Sequence, residues 1–148
     1  MLYRKVRSNA AAIADLREVQ KDYSGTGGLE RSLLELDERM NAEADAVQDL
    51  IATNARVAQN QDDYNARYEA LVSQYEATKA ERDRVAAEIR QKGIRRREFE
   101  RFITTLEKLP ETVTKFDEAM WSSLVDYVTV NGKDDLTFTL ACGVEISI

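Results

Sequence analysis

The sequence contains no histidine and only one cysteine, Cys142. Histidine is the commonest general base and the commonest transition-metal ligand in proteins, so its absence argues against a Ser-His-Asp hydrolase centre and a self-contained zinc site. A single cysteine excludes an internal disulfide framework. Because Cys142 lies beside the turn residue Gly143, we interpret it as a small structural residue. We therefore expect a chain that is not an enzyme on its own and holds no metal or cofactor.

Long apolar runs and targeting signals are also missing from the sequence. No apolar stretch approaches the ~20 residues that a membrane-spanning helix needs, and no secretory signal is recognisable. The pattern predicts a cytoplasmic protein without a membrane partner.

Glycine and proline are both absent between Leu29 and Ile89, and the apolar residues there keep one seven-residue register. One heptad position holds Leu29, Leu36, Leu50, Val57, Tyr64, Leu71 and Val85. Its partner position holds Leu33, Met40, Val47, Tyr68, Tyr75 and Ile89. Alternating steps of three and four residues are the spacing of a coiled-coil seam, so the segment is predicted to be helical and to pack along this seam.

Two structures fit this seam. A single straight helix would expose a long apolar stripe and would need a partner chain to cover it. A hairpin that folds between Val57 and Asn60, where the seam is weakest, would seal the stripe against itself and place Leu33 opposite Val85. Asn60 is a good helix N-cap, with the acid Asp63 in the following turn. We expect the antiparallel hairpin, although no glycine or proline marks the bend.

Charge is distributed unevenly along the chain, whose formal net charge is −6. Residues 30–89 are strongly acidic, whereas a short segment at 90–101 is basic. A basic segment can attract phosphate groups, or it can simply form the solvated face of a helix. The sequence leaves both interpretations open. The candidate phosphate contacts are Lys92, Arg95, Arg96, Arg97 and Arg101.

The remaining segments have local signals of their own. Residues 9–23 form a predicted helix that ends at a glycine-rich stretch, and the second arm of the hairpin runs to Leu109 with a weak point at Gly93. After Pro110, Asp117 is a predicted N-cap, and Phe116 and Trp121 are placed to form a hydrophobic staple around it. A helix at 118–126 and strands at 127–130, 136–140 and 144–148 follow, with turns at 131–134 and at 142–143.

The predicted fold is therefore mainly α with a small C-terminal α+β part. It comprises an N-terminal helix and linker (1–28), an antiparallel coiled-coil hairpin with its tip near 56–61 (29–109), and a short helix with a three-stranded antiparallel meander (110–148). One face of the thin sheet is expected to pack on Phe99, Phe102 and Leu106 or on a missing neighbour.

Two groups of residues resemble functional motifs but have simpler explanations. Tyr64, Tyr68 and Tyr75 could stack on nucleobases, yet their spacing places them on the apolar seam. The acidic pairs at 62–63 and 134–135 occur where helix caps and turns favour acids. Neither group predicts a site.

Three stretches resemble the C-terminal region of large serine recombinases, the site-specific DNA recombinases of mobile elements in Gram-positive bacteria. LIATNARVAQNQDDYNARYEAL (residues 50–71) is similar to the tip of that family's coiled-coil hairpin. FERFITTLEK (99–108) resembles the returning helix. FDEAMWSSLVDYVTV (116–130), followed by LTFTL (136–140) and GVEI (143–146), resembles the closing helix and strands.

The resemblance implies that the chain is a fragment, the end of the recombinase C-terminal DNA-binding domain. The catalytic serine domain and the paired cysteines of a zinc ribbon are absent here, so DNA cleavage and zinc binding would belong to an upstream part of the parent protein. The coiled coil would contact another subunit of the same recombinase, help to bring two DNA sites together and bias integration against excision. By this resemblance, the residues expected to make the subunit contact are those at the tip, Asn54, Arg56, Val57, Ala58, Gln61 and Tyr64. The location it implies is the bacterial cytoplasm, with DNA bound through the parent and only weakly by the fragment.

An alternative function belongs to a different class. Long helices joined to β-hairpins also suit a stand-alone coiled-coil scaffold or a chaperone-like protein of the prefoldin kind. In prefoldins the strands lie between the two helices, whereas here all predicted strands follow them.

Overall fold

The computed structural model describes residues 9–110 and 115–147, and within them the protein is mainly helical with one three-stranded antiparallel sheet. This confirms the predicted fold class. The helices are α1 (Asn9–Ser24), α2 (Gly27–Arg56), α3 (Gln61–Glu107) and α4 (Glu118–Leu124). The strands are β1 (Val125–Gly132), β2 (Asp135–Leu140) and β3 (Glu145–Ser147). Residues 1–8 and 111–114 and the last residue of the predicted third strand, Ile148, lie outside the described residues.

The chain divides into two compact units. The hairpin unit is Thr26–Gln91. The sheet unit combines the chain up to Gly25 with the chain from Lys92 onward. Helix α3 contributes its first part to the hairpin unit and its last part to the sheet unit.

Helices α2 and α3 of the hairpin unit pack antiparallel, as side-chain hydrogen bonds between them show. Arg82 Nε donates to Asp37 Oδ1 at 2.9 Å, and Thr78 Oγ1 donates to Glu43 Oε1 at 3.1 Å. As residue numbers rise along α2, those of the partners on α3 fall. Val85 is 3% exposed on the seam. The apolar stripes of α2 and α3 therefore face each other within one chain, as the heptad pattern predicts for a hairpin, and most of their residues are partly buried.

The bend between α2 and α3 is made without glycine or proline. Val57 ends α2 in an extended conformation (φ −125°, ψ 127°) while its N–H still donates to the Thr53 carbonyl at 3.0 Å. Asn60 Oδ1 then accepts from the backbone N–H groups of Asp62 and Asp63 at 2.9 and 3.2 Å. This is the N-cap predicted from the sequence, and it satisfies two amide donors that the first turn of α3 would otherwise leave unpaired.

Helix α1 runs antiparallel to the last part of α3 in the sheet unit. Arg17 pairs with Glu107 at 3.0 Å, and the buried Gln20 side chain donates to Glu100 Oε1 at 2.8 Å. Tyr23 stacks on Phe99 with ring centroids 6.4 Å apart. Polar contacts, one aromatic contact and the apolar packing of Leu16 and Val19 against the core thus hold α1 along this part of α3.

Helix α4 begins with the predicted cap. Asp117 accepts a hydrogen bond from the Met120 N–H at 3.0 Å, and the Phe116 and Trp121 rings that flank the cap lie 6.0 Å apart. These contacts form a hydrophobic staple at the start of α4. The helix ends at Leu124, two residues earlier than predicted, because Val125 is already extended and paired with Leu140.

The sheet has the order β1-β2-β3, with both pairs antiparallel. Gly132 still belongs to β1 and faces Asp135, so the first turn contains only Lys133 and Asp134, fewer residues than the predicted turn at 131–134. Gly143 turns the chain into β3 with a φ of +84°, a left-handed conformation that glycine adopts without strain.

The core of the sheet unit forms where α3 meets the end of β2. Phe99, Phe102 and Cys142 are buried together. The partly buried residues packed against them are Leu16, Val19, Leu106, Leu124, Leu140 and Val144. The sheet therefore packs on Phe99, Phe102 and Leu106, one of the two alternatives drawn from the sequence.

Candidate functional site

The tip of the hairpin carries exposed apolar side chains. Val57 is 57% exposed, Ile51 40% and Tyr68 38%. Farther along the two helices, seam residues such as Leu36 and Leu71 are partly buried. Three exposed apolar side chains thus lie near the end of the hairpin, and clustered exposed apolar side chains are typical of a contact with another protein. Leu34, 60% exposed farther along α2, is a single such residue.

The six tip candidates lie around the bend. Arg56, Val57, Ala58 and Gln61 are exposed, whereas Asn54 and Tyr64 are half-buried. Arg56 Nε donates to the Ala52 carbonyl at 3.1 Å. The structure thus brings the predicted residues together at one end of the hairpin.

Sequence analysis missed two apolar members of this tip. Ile51 lies outside the heptad seam, so periodicity gave no reason to single it out. The heptad pattern predicts Tyr68 on the seam, but its ring stacks on Tyr64 with centroids 6.1 Å apart and is 38% exposed. A large aliphatic residue off the seam and close to a bend is the signal that could have identified Ile51.

A buried carboxylate interrupts the apolar seam of the hairpin. Glu43 is 6% exposed, and its Oε1 atom accepts hydrogen bonds from Arg39, Gln74 and Thr78 at 2.9, 3.0 and 3.1 Å. Its second oxygen, Oε2, is buried without a hydrogen-bond partner among the described residues. Burial disfavours the charged form of Glu43, but the hydrogen bonds from Arg39, Thr78 and Gln74 outweigh it, so the pKa of Glu43 is lowered.

In the basic segment of α3, some residues contact the rest of the sheet unit and others do not. Lys92 Nζ donates to the Tyr23 carbonyl at 3.3 Å, and so satisfies an acceptor in the last turn of α1. Arg95 lines a cleft of about 400 Å³ with Tyr23, Phe99 and Cys142. The Arg96 carbonyl accepts a long hydrogen bond, 3.4 Å, from Gln20, although the Arg96 side chain is exposed.

All four arginine candidates are exposed, and Arg97 and Arg101 are the pair on the outer face of α3. Both are exposed, and neither guanidinium makes an ion pair with a described residue. Because they are four residues apart they lie on one face of the helix, away from the buried Phe99 and Ile103. This placement is suited to two simultaneous phosphate contacts.

The sheet unit also contains an apolar groove of about 850 Å³. Its walls include Leu16 from α1, Leu106 from α3, Trp121 from α4 and Ile146 from β3. Phe116 at its edge is 75% exposed. Among its described lining residues only Asp15 is charged and the rest are apolar, so its walls favour contact with another apolar surface.

Within the described ranges the structure contains no group of three or more His, Cys, Asp or Glu side chains able to hold a metal ion. The one cysteine is buried, and that burial raises the pKa of the Cys142 thiol despite backbone hydrogen bonds that lower it. No described helix has the length and apolar character needed to cross a bilayer.

Comparison with known proteins found no match: no protein-family model, no curated protein and no solved structure matches this chain.

Proposed function

We propose that the chain is the C-terminal part of a site-specific serine DNA recombinase, in which the hairpin tip contacts another subunit and thereby helps to pair two DNA sites. The parent's catalytic serine would lie in another domain, so this chain is catalytically inert alone. The parent protein would be located in the bacterial cytoplasm. Any zinc would be bound by the upstream part of the parent and not by this chain.

The observation that carries this proposal is the exposed apolar tip at the end of an antiparallel hairpin. An antiparallel hairpin needs no partner along its length, yet Val57, Ile51 and part of the Tyr68 ring stay exposed at its end. Arg56, just before the bend, and the acids Asp62 and Asp63, just after it, are exposed. Opposite charges beside one apolar patch allow two identical tips to face each other with complementary charge.

The experiment compares Val57→Asp with a matched control, Leu34→Asp. Leu34 is 60% exposed on α2 and Val57 is 57% exposed at the tip, so both changes place an acid at an equally exposed aliphatic position. Desolvating a carboxylate at an apolar contact is costly, and we expect Val57→Asp to weaken self-association by about tenfold or more. Sedimentation equilibrium over a concentration series measures the effect.

Leu34→Asp should leave self-association within about twofold of the unsubstituted chain, since exposed substitutions usually have small effects. Equal weakening by both variants, or none by either, contradicts a contact at the tip. In the parent recombinase, Val57→Asp should abolish pairing of two DNA sites and leave binding to a single site intact. Loss of both would indicate misfolding.

A second function, a stand-alone chaperone-like scaffold, is favoured by the apolar groove of the sheet unit. Such a surface could hold unfolded segments of a client protein. If so, the chain suppresses aggregation of a heat-denatured test protein and Phe116→Ser weakens that suppression. Unaltered client aggregation in the presence of the chain excludes this function.

A further inference from the structure

The apolar groove of the sheet unit lies along one face of α1. Ala12, Leu16 and Val19 from that helix line it, and their spacing of four and three residues places them on one side of the helix. Its other walls include Phe116 and Trp121, which are 75% and 40% exposed. A continuous apolar surface of this kind is typical of a contact with another apolar segment.

The start of α1 extends past the end of α3. Arg17 pairs with Glu107, the last residue of α3, and the two helices run antiparallel, so the turns of α1 before Arg17 lie beyond the last turn of α3. Ala12 lies in those turns and lines the groove. The chain that precedes α1 therefore enters the sheet unit beside the groove and not beside α3. The Arg17–Glu107 pair adds no net charge there.

The charges around the groove are mainly acidic. Asp15 is the one charged residue among its described lining residues. Asp117 and Glu118 follow Phe116 in the chain and are exposed. Lys115, directly before Phe116, is the one base in this stretch. An occupant with apolar side chains and basic charges would complement both the walls of the groove and its charge.

The segment of residues 1–8 has this chemistry and adjoins the groove. Its three bases are Arg4, Lys5 and Arg7, and it has no acid. Its apolar residues are Met1, Leu2, Tyr3 and Val6. Helix α1 begins at Asn9, about one turn before Ala12. A segment of this length can span up to ~26 Å, more than the ~10 Å that separates packed elements, so it is long enough to cross the groove.

We propose that residues 1–8 occupy the apolar groove of their own chain, with their apolar side chains on its walls and their basic side chains beside its acids. Because the segment is joined to α1, its effective concentration at the groove far exceeds that of a free partner. This contact lies within the sheet unit and does not involve the hairpin tip, so it goes beyond the function proposed above. A client of the chaperone-like alternative would have to displace the segment.

The fluorescence of Trp121 tests the proposal, because Trp121 is the only tryptophan of the chain and lines the groove. Val6→Asp places a carboxylate where the proposal requires an apolar side chain. We expect it to raise the rate at which acrylamide quenches Trp121 by about twofold or more, with unchanged circular dichroism, since burying an unpaired charge is costly. Ser8→Asp is the matched control. It makes the same change of charge at a polar position and should leave the quenching rate within about 1.2-fold.

Three results of this measurement overturn the proposal. Equal quenching rates for the unsubstituted chain and Val6→Asp would leave the groove to a different protein. Equal increases for Val6→Asp and Ser8→Asp would indicate a response to charge alone. A quenching rate that falls as the chain concentration rises would place the segment of a second copy in the groove.

Contact quenching of a dye gives a second measurement that leaves the segment apolar. Bimane attached at Val6→Cys should be quenched by Trp121, and Trp121→Phe should restore its emission. Bimane at Glu18→Cys is the control, because Glu18 is exposed on the side of α1 opposite Leu16, and its emission should not respond to Trp121→Phe. The buried Cys142 leaves the introduced cysteine as the site of labelling. Equal emission of the Val6→Cys conjugate with and without Trp121 contradicts the proposal.

Discussion

Glu43 occupies a seam position of the hairpin where neighbouring turns place Leu36 and Leu50. A buried charge at such a position is weak support for stability, because desolvation offsets much of what its hydrogen bonds contribute. Its established use in coiled coils is to fix the register, since sliding the helices would leave the charge unpaired. The bonds from Gln74 and Thr78 on α3 to Glu43 on α2 act in this way.

The pH dependence of hairpin stability follows from Glu43. Its folded-state pKa is lowered, so its contribution to the free energy of unfolding is present above the unfolded-state value, about 4.3 for glutamate, and is lost as the pH falls through the folded-state pKa. Urea unfolding between pH 6 and about 3 should show stability falling on acidification, and less steeply in Glu43→Gln.

The control for this experiment is Glu38→Gln, which removes an equal charge from an exposed position of the same helix. It should reproduce the acid dependence of the unsubstituted chain. If Glu43→Gln instead keeps the full slope, other carboxylates cause the acid sensitivity.

The roles of some single residues could be predicted from the sequence, and the roles of others could not. Asn60 and Asp117 were predictable as caps because an N-cap acts on amides two or three residues away. Glu43 and Gln20 were not, because their partners are 31 and 80 residues distant in the chain. Hydrogen bonds between residues close in the chain can be predicted from a sequence. The partner of a buried polar residue is known only when the fold is known.

At the scale of elements, the bend of the hairpin depends on the cap of α3. Asn60→Ala removes the acceptor for two backbone amides and should lower the free energy of unfolding by about 1 kcal/mol. Urea titration followed by circular dichroism measures this loss.

Asn65→Ala is the matched control for that substitution. It makes the same change at an exposed site within α3, where alanine is the better helix former, and should be neutral or slightly stabilising. Equal losses for the two variants would mean that the cap adds nothing to the bend.

The heptad pattern predicted the pairing of α2 with α3, but no pattern placed α1. A seam of regular period specifies its own partner because facing layers recur along both helices. Helix α1 contacts α3 through Arg17, Gln20 and Tyr23, and its Leu16 and Val19 pack against the core cluster. The sequence shows this apolar face but not which element covers it. The position of α1 became evident only from the structure. The apolar groove beside α1 could not be predicted from the sequence either, because several elements form its walls.

For the whole molecule, the proposed function leads to a prediction about DNA that depends on charge. The net charge of −6 opposes phosphate binding, and Arg97 and Arg101 are the basic candidates on the outer face of α3. The chain should therefore bind duplex DNA weakly at ~150 mM salt and more tightly at ~50 mM. Fluorescence anisotropy with a labelled duplex measures both conditions, and tight, salt-resistant binding would contradict the proposed fragment.

Replacing Arg97 and Arg101 together by glutamine should reduce the salt dependence, by about 1.8 in the slope of log K against log salt if each contacts one phosphate. Arg31→Gln with Arg67→Gln removes the same charge from exposed positions of the hairpin unit and should leave the slope unchanged. Equal effects would indicate a response to net charge alone.

The burial of Cys142 has a practical consequence. A thiol that is hidden from solvent and whose pKa is raised reacts slowly with alkylating dyes near neutral pH, since the thiolate is the reactive species. A cysteine introduced at exposed Ala58 can therefore be labelled selectively in the unaltered background, which makes the apex of the hairpin directly accessible to fluorescence and spin-label distance measurements.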